Sequence, residues 1–495
     1  MGPTAQTRYG TLRGQVRDGV ASFLGVPYAA SPTGALRFQA PAKPAEWTGI
    51  RAADALGPTP PKPDYPKPFD TLLAEPNIPG DDWLTLNIWT PDPISNGLPV
   101  MVWIHGGAFA NGNSAIPVYD GHAFARDGVV LVTINYRLGI DGFALLPDAP
   151  ANRGLLDQIA ALEWVRDNIA AFGGDPASVT IFGESAGAMS VTTLLSLPRA
   201  SGLFARAIAQ SGAAQAVADP ADAARVTAEL AEIIGGPATA ASLAELSLPE
   251  LIIAQAAVRD ALAADPSPAR FGASIVASSM AFIPVIDGEL LTQHPVAAIA
   301  AGAGSGIPLM IGTNTDEYRL FLVPTGMAAM VNDDVLASLA GPLGATKQVI
   351  DLYRANRPGA SPGDLLAALL TDRFFRLPAI AVAQARADGP AATYFYEFAW
   401  PNPDLGAVHS LEFPFVFDNL FASGAELATG PAAPQELAEQ MHATWIRFAR
   451  TGDPGWPAFD SRLPVRIFDA DGGSTQLDPR RDERTIWPQG LPAPA

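Results

Sequence analysis

An α/β fold built on a large, mostly parallel sheet is what this chain predicts, and three stretches predict it. Residues 129–136 form an almost unbroken apolar run of the kind buried on both faces of a parallel sheet. Leu155, Ile159, Leu162, Val165 and Ile169 then recur at helical spacing before the stop signal Gly173-Gly174-Asp175-Pro176. A short β-branched and aromatic run, Val179-Thr180-Ile181-Phe182, follows. Strand, helix, strand in that order implies a right-handed crossover and parallel pairing.

The remaining elements fall around this unit. Residues 7–26, punctuated by Gly10, Gly14, Gly19 and Gly25, read as a pair of short antiparallel strands. The proline-rich stretch 27–70 reads as irregular surface, and 83–89 and 98–104 as strands. Residues 213–264 are alanine-rich, leucine-punctuated and expected to be helical, the start of an insertion over the sheet. A buried strand is expected at 307–312, helices over 334–387, a strand at 393–400, a late helix at 442–450 and a final strand near 465–468. With no internal repeat and no low-complexity linker, the 495 residues read as one domain carrying helical insertions at roughly 213–300 and 325–390.

Composition excludes several classes of function. Hydrophobic residues make up 48% and charged residues 16%, yet no apolar run approaches the roughly 20 residues that span a bilayer, so membrane insertion is not expected. A net charge of −19 would repel a polyphosphate, which argues against nucleic acid as a partner. Cysteine is absent, which removes thiol catalysis, disulfides and thiolate metal sites. The first ten residues lack a basic segment followed by an apolar one, and a cytoplasmic location is the expectation. No His-Glu-x-x-His occurs, and Gly302-Ala303-Gly304-Ser305-Gly306-Ile307 lacks the glycine spacing of a dinucleotide loop, so neither a metal nor another cofactor is expected.

What the chain does carry is Gly183-Glu184-Ser185-Ala186-Gly187, set between the strand-like run and a helix-like segment at 188–195. A strand that reverses into a helix over so few residues brings backbone against backbone, which favours glycine two positions to either side of the apex. Ser185 is then an exposed nucleophile, and the chain reads as an α/β-hydrolase. A serine needs a base, and there are five histidines: His105, His122, His294, His409 and His442. His105 opens a glycine turn, His122 lies in a polar segment before a helix, His294 precedes a proline, and His442 sits with Met441, Trp445 and Phe448 on a helix face. His409 lies in a loop after the 393–400 strand, where a side chain reaches the carboxyl edge of the sheet, and is the expected base. An acid from Asp316-Glu317, after the 307–312 strand, gives the chain order Ser, acid, His. The small residues of His105-Gly106-Gly107-Ala108 follow a strand and, with the N–H of Ala186, can supply two or three oxyanion donors.

At this point the chain resembles the type-B carboxylesterases, the family of the cholinesterases and bacterial p-nitrobenzyl esterases. The resemblance runs through Gly25-Val26-Pro27-Tyr28, Leu36-Arg37-Phe38, Asp82-Trp83-Leu84-Thr85-Leu86-Asn87, His105-Gly106-Gly107-Ala108-Phe109, Asn135-Tyr136-Arg137-Leu138-Gly139, Phe172-Gly173-Gly174-Asp175-Pro176, the serine pentapeptide and Phe448-Ala449-Arg450-Thr451-Gly452-Asp453-Pro454. It implies Ser185 as nucleophile, Glu317 rather than Asp316 as acid, His409 as base, and Gly107, Ala108 and Ala186 as oxyanion donors. It further implies an Arg37–Asp81 pair, support of the triad by Ser211, and an acyl pocket formed by the segment from Ser278 through Met280 to Gly288, with small or flexible side chains where cholinesterases place aromatics. Trp83 stands where animal members carry a disulfide cysteine, which fits a bacterial form; Tyr318 stands where the family usually has glycine, which bears on the pose of Glu317. No aromatic choline-site match occurs between Asp64 and Asp81, so choline esters are not the expected substrates.

The expected activity is hydrolysis of small-molecule carboxylic esters through an acyl-enzyme. Carbamates or aryl amides are the alternative with the same machinery, and a non-catalytic binding protein on the same scaffold is a remote third.

Overall fold

The computed structural model describes residues 2–487 and contains fourteen strands. In chain order these are β1 (Thr4–Gln6), β2 (Thr11–Arg13), β3 (Gln15–Arg17), β4 (Val20–Pro27), β5 (Ile50–Ala52), β6 (Thr85–Thr90), β7 (Leu98–Ile104), β8 (Val130–Ile134), β9 (Gly174–Glu184), β10 (Arg206–Gln210), β11 (Leu309–Asn314), β12 (Thr393–Phe398), β13 (Pro464–Phe468) and β14 (Ser474–Leu477). Strands β1, β2 and β5 form a small separate sheet, and the others make one eleven-stranded sheet in the order β14-β13-β12-β11-β10-β9-β7-β8-β6-β4-β3. The run from β13 to β8 is parallel, and antiparallel strands close both edges. This is the α/β-hydrolase fold that the serine pentapeptide predicted.

Strand periodicity divides the core into two layers. Val100, Val102 and Ile104 of β7 pack on one face with Val179 and Ile181 of β9, while Met101, Trp103 and Phe182 pack on the other. Side chains alternate across a pleat, so both faces of these strands must be apolar and both are covered by helices. The helix Arg153–Asn168 and the helix Ala186–Ser196 cover the first face; Gln435–Thr451 lies on the second through Met441, Trp445 and Phe448.

One strand was not foreseen and two expectations are corrected. Strand β10 lies at the centre of the sheet although its sequence, Arg206-Ala207-Ile208-Ala209-Gln210, carries little β propensity; its neighbours β9 and β11 impose the conformation. Helix does not begin at residue 213: residues 213–219 are non-helical, with a turn at 214–215 and a bridge from Ala218 to Val285, and the first helix is Pro220–Ile234, N-capped by Asp219. The strand at 464–468 is not the last, since β14 pairs with it.

The parallel strands bring five chain segments to one edge. Residues following the carboxyl ends of β7, β9, β10, β11 and β12 meet there, and β9 ends at Glu184 opposite Gln210 of β10.

Candidate active site

Ser185 caps the helix Ala186–Ser196 at φ 55° and ψ −125°. A non-glycine residue in that region is strained and persists only where the surroundings over-determine it. Here they do: the Ser185 N–H donates to Gln210 O at 2.9 Å, and a Cβ on Gly183 or Gly187 would lie 2.5 or 2.0 Å from Ile104 O. The apex therefore rests directly on β7, and the helix presents its N-terminus, with the Ala186 N–H, beside the serine.

His409 is carried by the loop after β12. Its Nδ1–H donates to Glu317 Oε2 at 2.7 Å, and its own backbone N–H donates to Glu317 O at 3.2 Å. The loop is pinned from β11: Asn314 Nδ2 donates to Val408 O at 2.7 Å, and Asp316 Oδ2 accepts the Ala407 N–H at 3.0 Å. Asp316 thus holds the loop backbone while Glu317 holds the imidazole. Phe375 and Phe321 flank the ring at centroid distances of 4.7 and 5.5 Å. Burial lowers the His409 pKa from its ordinary value, against a raising influence from Glu184. Tyr318, in place of the family's glycine, has φ −75° and packs on Phe321 and Phe374, so that position makes no demand for glycine.

Glu317 and Glu184 are buried against this histidine, and a third buried carboxyl group, Glu412, lies close to both. Glu184 Oε1 lies 3.1 Å from His409 Nε2 and accepts the Ser410 hydroxyl at 2.8 Å; burial pushes Glu184 up to about 7, opposed by His409 and reinforced by Glu412. Glu412 accepts from Ser211 Oγ at 3.2 Å, Gln210 Nε2 at 3.3 Å and Tyr396 OH at 3.1 Å. Burial pushes both Glu317 and Glu412 up to about 8, and the hydroxyl of Ser211 stands between them. Neither Glu184, inside the pentapeptide, nor Glu412 stands out in the sequence; for Glu412, its place three residues after His409 was the available signal.

Ser185 and His409 line one cavity of about 340 Å³, together with Gly107, Ala108, Ser278 and Met280. Tyr65, Phe374 and Phe375 also line it, residues that no motif indicated. The Ser278 hydroxyl is engaged by Ile275 O at 2.9 Å, so Ser278 bounds the cavity mainly by its small size. Gly107, Ala108 and Phe109 follow β7 with φ of 109°, 54° and 58°, a tight turn closed by Ala110 N–H and Asn111 N–H on Gly107 O at 2.9 and 2.7 Å.

The other histidines lie elsewhere. His442 is buried on the face of the helix Gln435–Thr451, its Nδ1–H donating to Val416 O at 2.7 Å. His294 caps the helix Pro295–Ala300, His122 opens His122–Arg126, and His105 stacks on Tyr136, where burial lowers its pKa to about 3. Arg37 pairs with Asp141 at 3.4 Å and Leu246 O at 3.2 Å instead of Asp81; Asp81 offers its backbone carbonyl to Ser31. Among the described residues no cluster of histidine and carboxylate side chains could hold a metal ion.

A strand-to-helix turn at Ser185 and a His409–Glu317 pair lining one cavity at the edge of an eleven-stranded sheet place the chain in the α/β-hydrolase class. Residues 2–471 match the Carboxylesterase family; the chain belongs to it and is a carboxylic ester hydrolase. It is 38% identical to the para-nitrobenzyl esterase of Bacillus subtilis (strain 168), covering 97% of each chain, and 35% identical to the phenmedipham hydrolase of Pseudarthrobacter oxydans, covering 95% of this chain and 96% of that one. The crystal structure of the Geobacillus stearothermophilus carboxylesterase EST55 superposes with a TM-score of 0.86 at 38% identity, covering 98% of this chain and 100% of that one.

Proposed function

We propose that the chain hydrolyses carboxylic esters through a Ser185–His409–Glu317 triad and an acyl-enzyme, with the peptide N–H groups of Gly107, Ala108 and Ala186 as the oxyanion hole. The observation that carries this reading is the 2.7 Å bond from His409 Nδ1 to Glu317, on a ring that lines the same cavity as Ser185. That bond fixes the tautomer, leaving Nε2 as the basic nitrogen.

As Ser185 Oγ attacks the ester carbonyl, His409 Nε2 takes its proton and the carbonyl electron pair moves onto the oxygen, which the N–H groups stabilise. Collapse breaks the carbon–oxygen bond to the alcohol, which leaves with the proton from Nε2. Water then attacks the acyl-enzyme, losing its proton to Nε2, and Ser185 departs with that proton as the acid is released. Glu317 remains ionised throughout and stabilises the imidazolium. Its charge is compatible with the neighbouring Glu412 because the pair retains one proton, which the His409 Nδ1–H and Asn314 N–H bonds to Glu317 favour on Glu412.

The testing experiment is a serine-directed aryl phosphonate followed by intact mass and peptide mapping, alongside turnover of p-nitrobenzyl esters. One adduct on Ser185 is expected, and Ser185→Ala should lower turnover by roughly 10⁶-fold. Labelling elsewhere, or a Ser185→Ala enzyme that retains activity, sinks the reading. Carbamates and aryl amides present the same carbonyl geometry, and matched aryl ester, carbamate and anilide substrates rank the three.

A further inference from the structure

The turn that carries two of the proposed oxyanion donors is strained, and what restrains it lies outside the catalytic segments. Ala108 and Phe109 both occupy the left-handed region without being glycine, at φ 54° and 58°. Such a turn relaxes unless its flanks are held. On one side Phe109 O accepts the Gly139 N–H at 2.7 Å. On the other, the peptide and side chains of residues 111–113 converge on one carboxylate: Glu75 Oε2 accepts the Gly112 N–H at 2.8 Å and Asn113 Nδ2 at 3.4 Å, and Glu75 Oε1 accepts Asn111 Nδ2 at 3.5 Å. Asn111 and Asn113 also donate to Pro63 O at 2.6 Å and Pro76 O at 3.0 Å, which ties the same loop to the segment that bears Glu75. Among the described residues, no other charged side chain bonds to residues 107–113.

Glu75 is balanced by Lys62, whose Nζ lies 3.6 Å away and, among the described residues, has no hydrogen-bond partner. The two side chains are 9% and 7% exposed. Desolvation works against both charges, raising the Glu75 pKa and lowering that of Lys62, so the pair is a poor device for stability alone. Tyr65, Leu72, Leu73 and Ala74 of the same segment line the catalytic cavity, so Glu75 sits at the junction of cavity wall and oxyanion turn.

We propose that Glu75 is a positioning residue for ester hydrolysis: its carboxylate clamps the 111–113 peptides and thereby holds the Gly107 and Ala108 N–H groups in place before substrate arrives. This rests on the oxyanion hole described under the proposed function.

The test compares Glu75→Ala and Glu75→Gln with the unaltered enzyme by steady-state kinetics on p-nitrobenzyl esters and by inhibition with two related compounds. An aryl trifluoromethyl ketone adds Ser185 Oγ to its carbonyl carbon, sending the carbonyl electron pair to oxygen and the serine proton to His409, and so reads the oxyanion donors. The matched trifluoromethyl carbinol fits the same cavity and cannot add. Glu75→Ala should lower kcat by about 10- to 100-fold with little change in KM. Ketone affinity should fall in parallel while carbinol affinity holds, and Glu75→Gln, whose amide oxygen still accepts the Gly112 N–H, should recover most of both. Ketone affinity unchanged in Glu75→Ala, or equal losses in the Ala and Gln variants, would overturn the clamp. If stranding Lys62 prevents Glu75→Ala from folding, Lys62→Met/Glu75→Ala takes its place with the same two outcomes. A failure of the underlying reading looks different: the unaltered enzyme would then bind the ketone no more tightly than the carbinol.

Discussion

His409, the proposed base, works only while neutral, and burial and the carboxyl groups beside it set its titration. Burial lowers the His409 pKa and the Glu184 carboxylate, 3.1 Å from Nε2, raises it. Replacing Glu184 by glutamine removes what raising influence its carboxylate keeps below its own titration near 7, so the imidazole should be protonated at still lower pH. The acidic limb of the kcat/KM profile should therefore move to lower pH in Glu184→Gln, measured between about pH 4 and 9; a shift in the other direction would show that Glu184 does not act on the base through its charge. That Ser185 and His409, the proposed nucleophile and base, would share one cavity was legible from the sequence, one by its glycine-flanked motif and the other because four remaining histidines had plainer explanations. Glu184 and Glu412 were not, because a carboxyl group discloses its burial only when the sheet edge has closed around it. The resemblance of the chain to its family singled out Glu317, but the division of labour by which Asp316 holds backbone and Glu317 holds imidazole required the geometry.

At the scale of elements, the loop after β12 and the wall beside the helix Ala273–Ser278 each carry a prediction. The loop owes part of its position to Asp316, whose carboxylate accepts the Ala407 N–H. Asp316→Ala should let His409 drift and lower kcat about tenfold, since an ångström of misplacement is worth up to 10²-fold, while KM and the circular dichroism spectrum stay close to the parent's. Met280 borders the cavity, and Met280→Trp should narrow it. Its kcat/KM for a decanoate ester relative to the acetate should drop by about tenfold, equivalent to lost contact with roughly two methylenes; an unchanged ratio would place the acyl chain elsewhere. Strands such as β7 and β8 could be read directly because β-branched residues fill them, whereas β10 was invisible in its alanines, being specified by the strands on either side.

For the molecule as a whole, the fold was legible because strand and helix periods alternate clearly through the first 200 residues; the later helices were foreseen as regions without their boundaries, which caps and packing decide. The buried carboxyl groups also have a global consequence. Glu184, raised to about 7, and the Glu317–Glu412 pair, which retains one proton up to about 8, keep protons in the folded chain that the unfolded chain releases near its ordinary carboxyl pKa. Their contribution to stability is therefore fully present below that ordinary value and is lost as pH climbs through 7 and 8. Between about pH 4.5 and 6.5 the buried histidines, with lowered pKa values, work in the opposite sense, so the decline should show cleanly above pH 6.5. Thermal unfolding of Glu412→Gln should fall less steeply than the parent between pH 6.5 and 8; parallel slopes would mean that Glu412 is already ionised at neutral pH.

The order of strands at the sheet's edge has one more consequence, for the chain as it is made. The serine lies at position 185 and the imidazole at 409, on strands that become near neighbours only after β10 and β11 have been inserted between them. A nascent polypeptide thus displays the proposed nucleophile long before the proposed base is made, and on that reading should gain esterase activity only once most of it has been translated. The same separation makes recovered esterase activity after denaturation a reporter of late sheet closure rather than of early collapse.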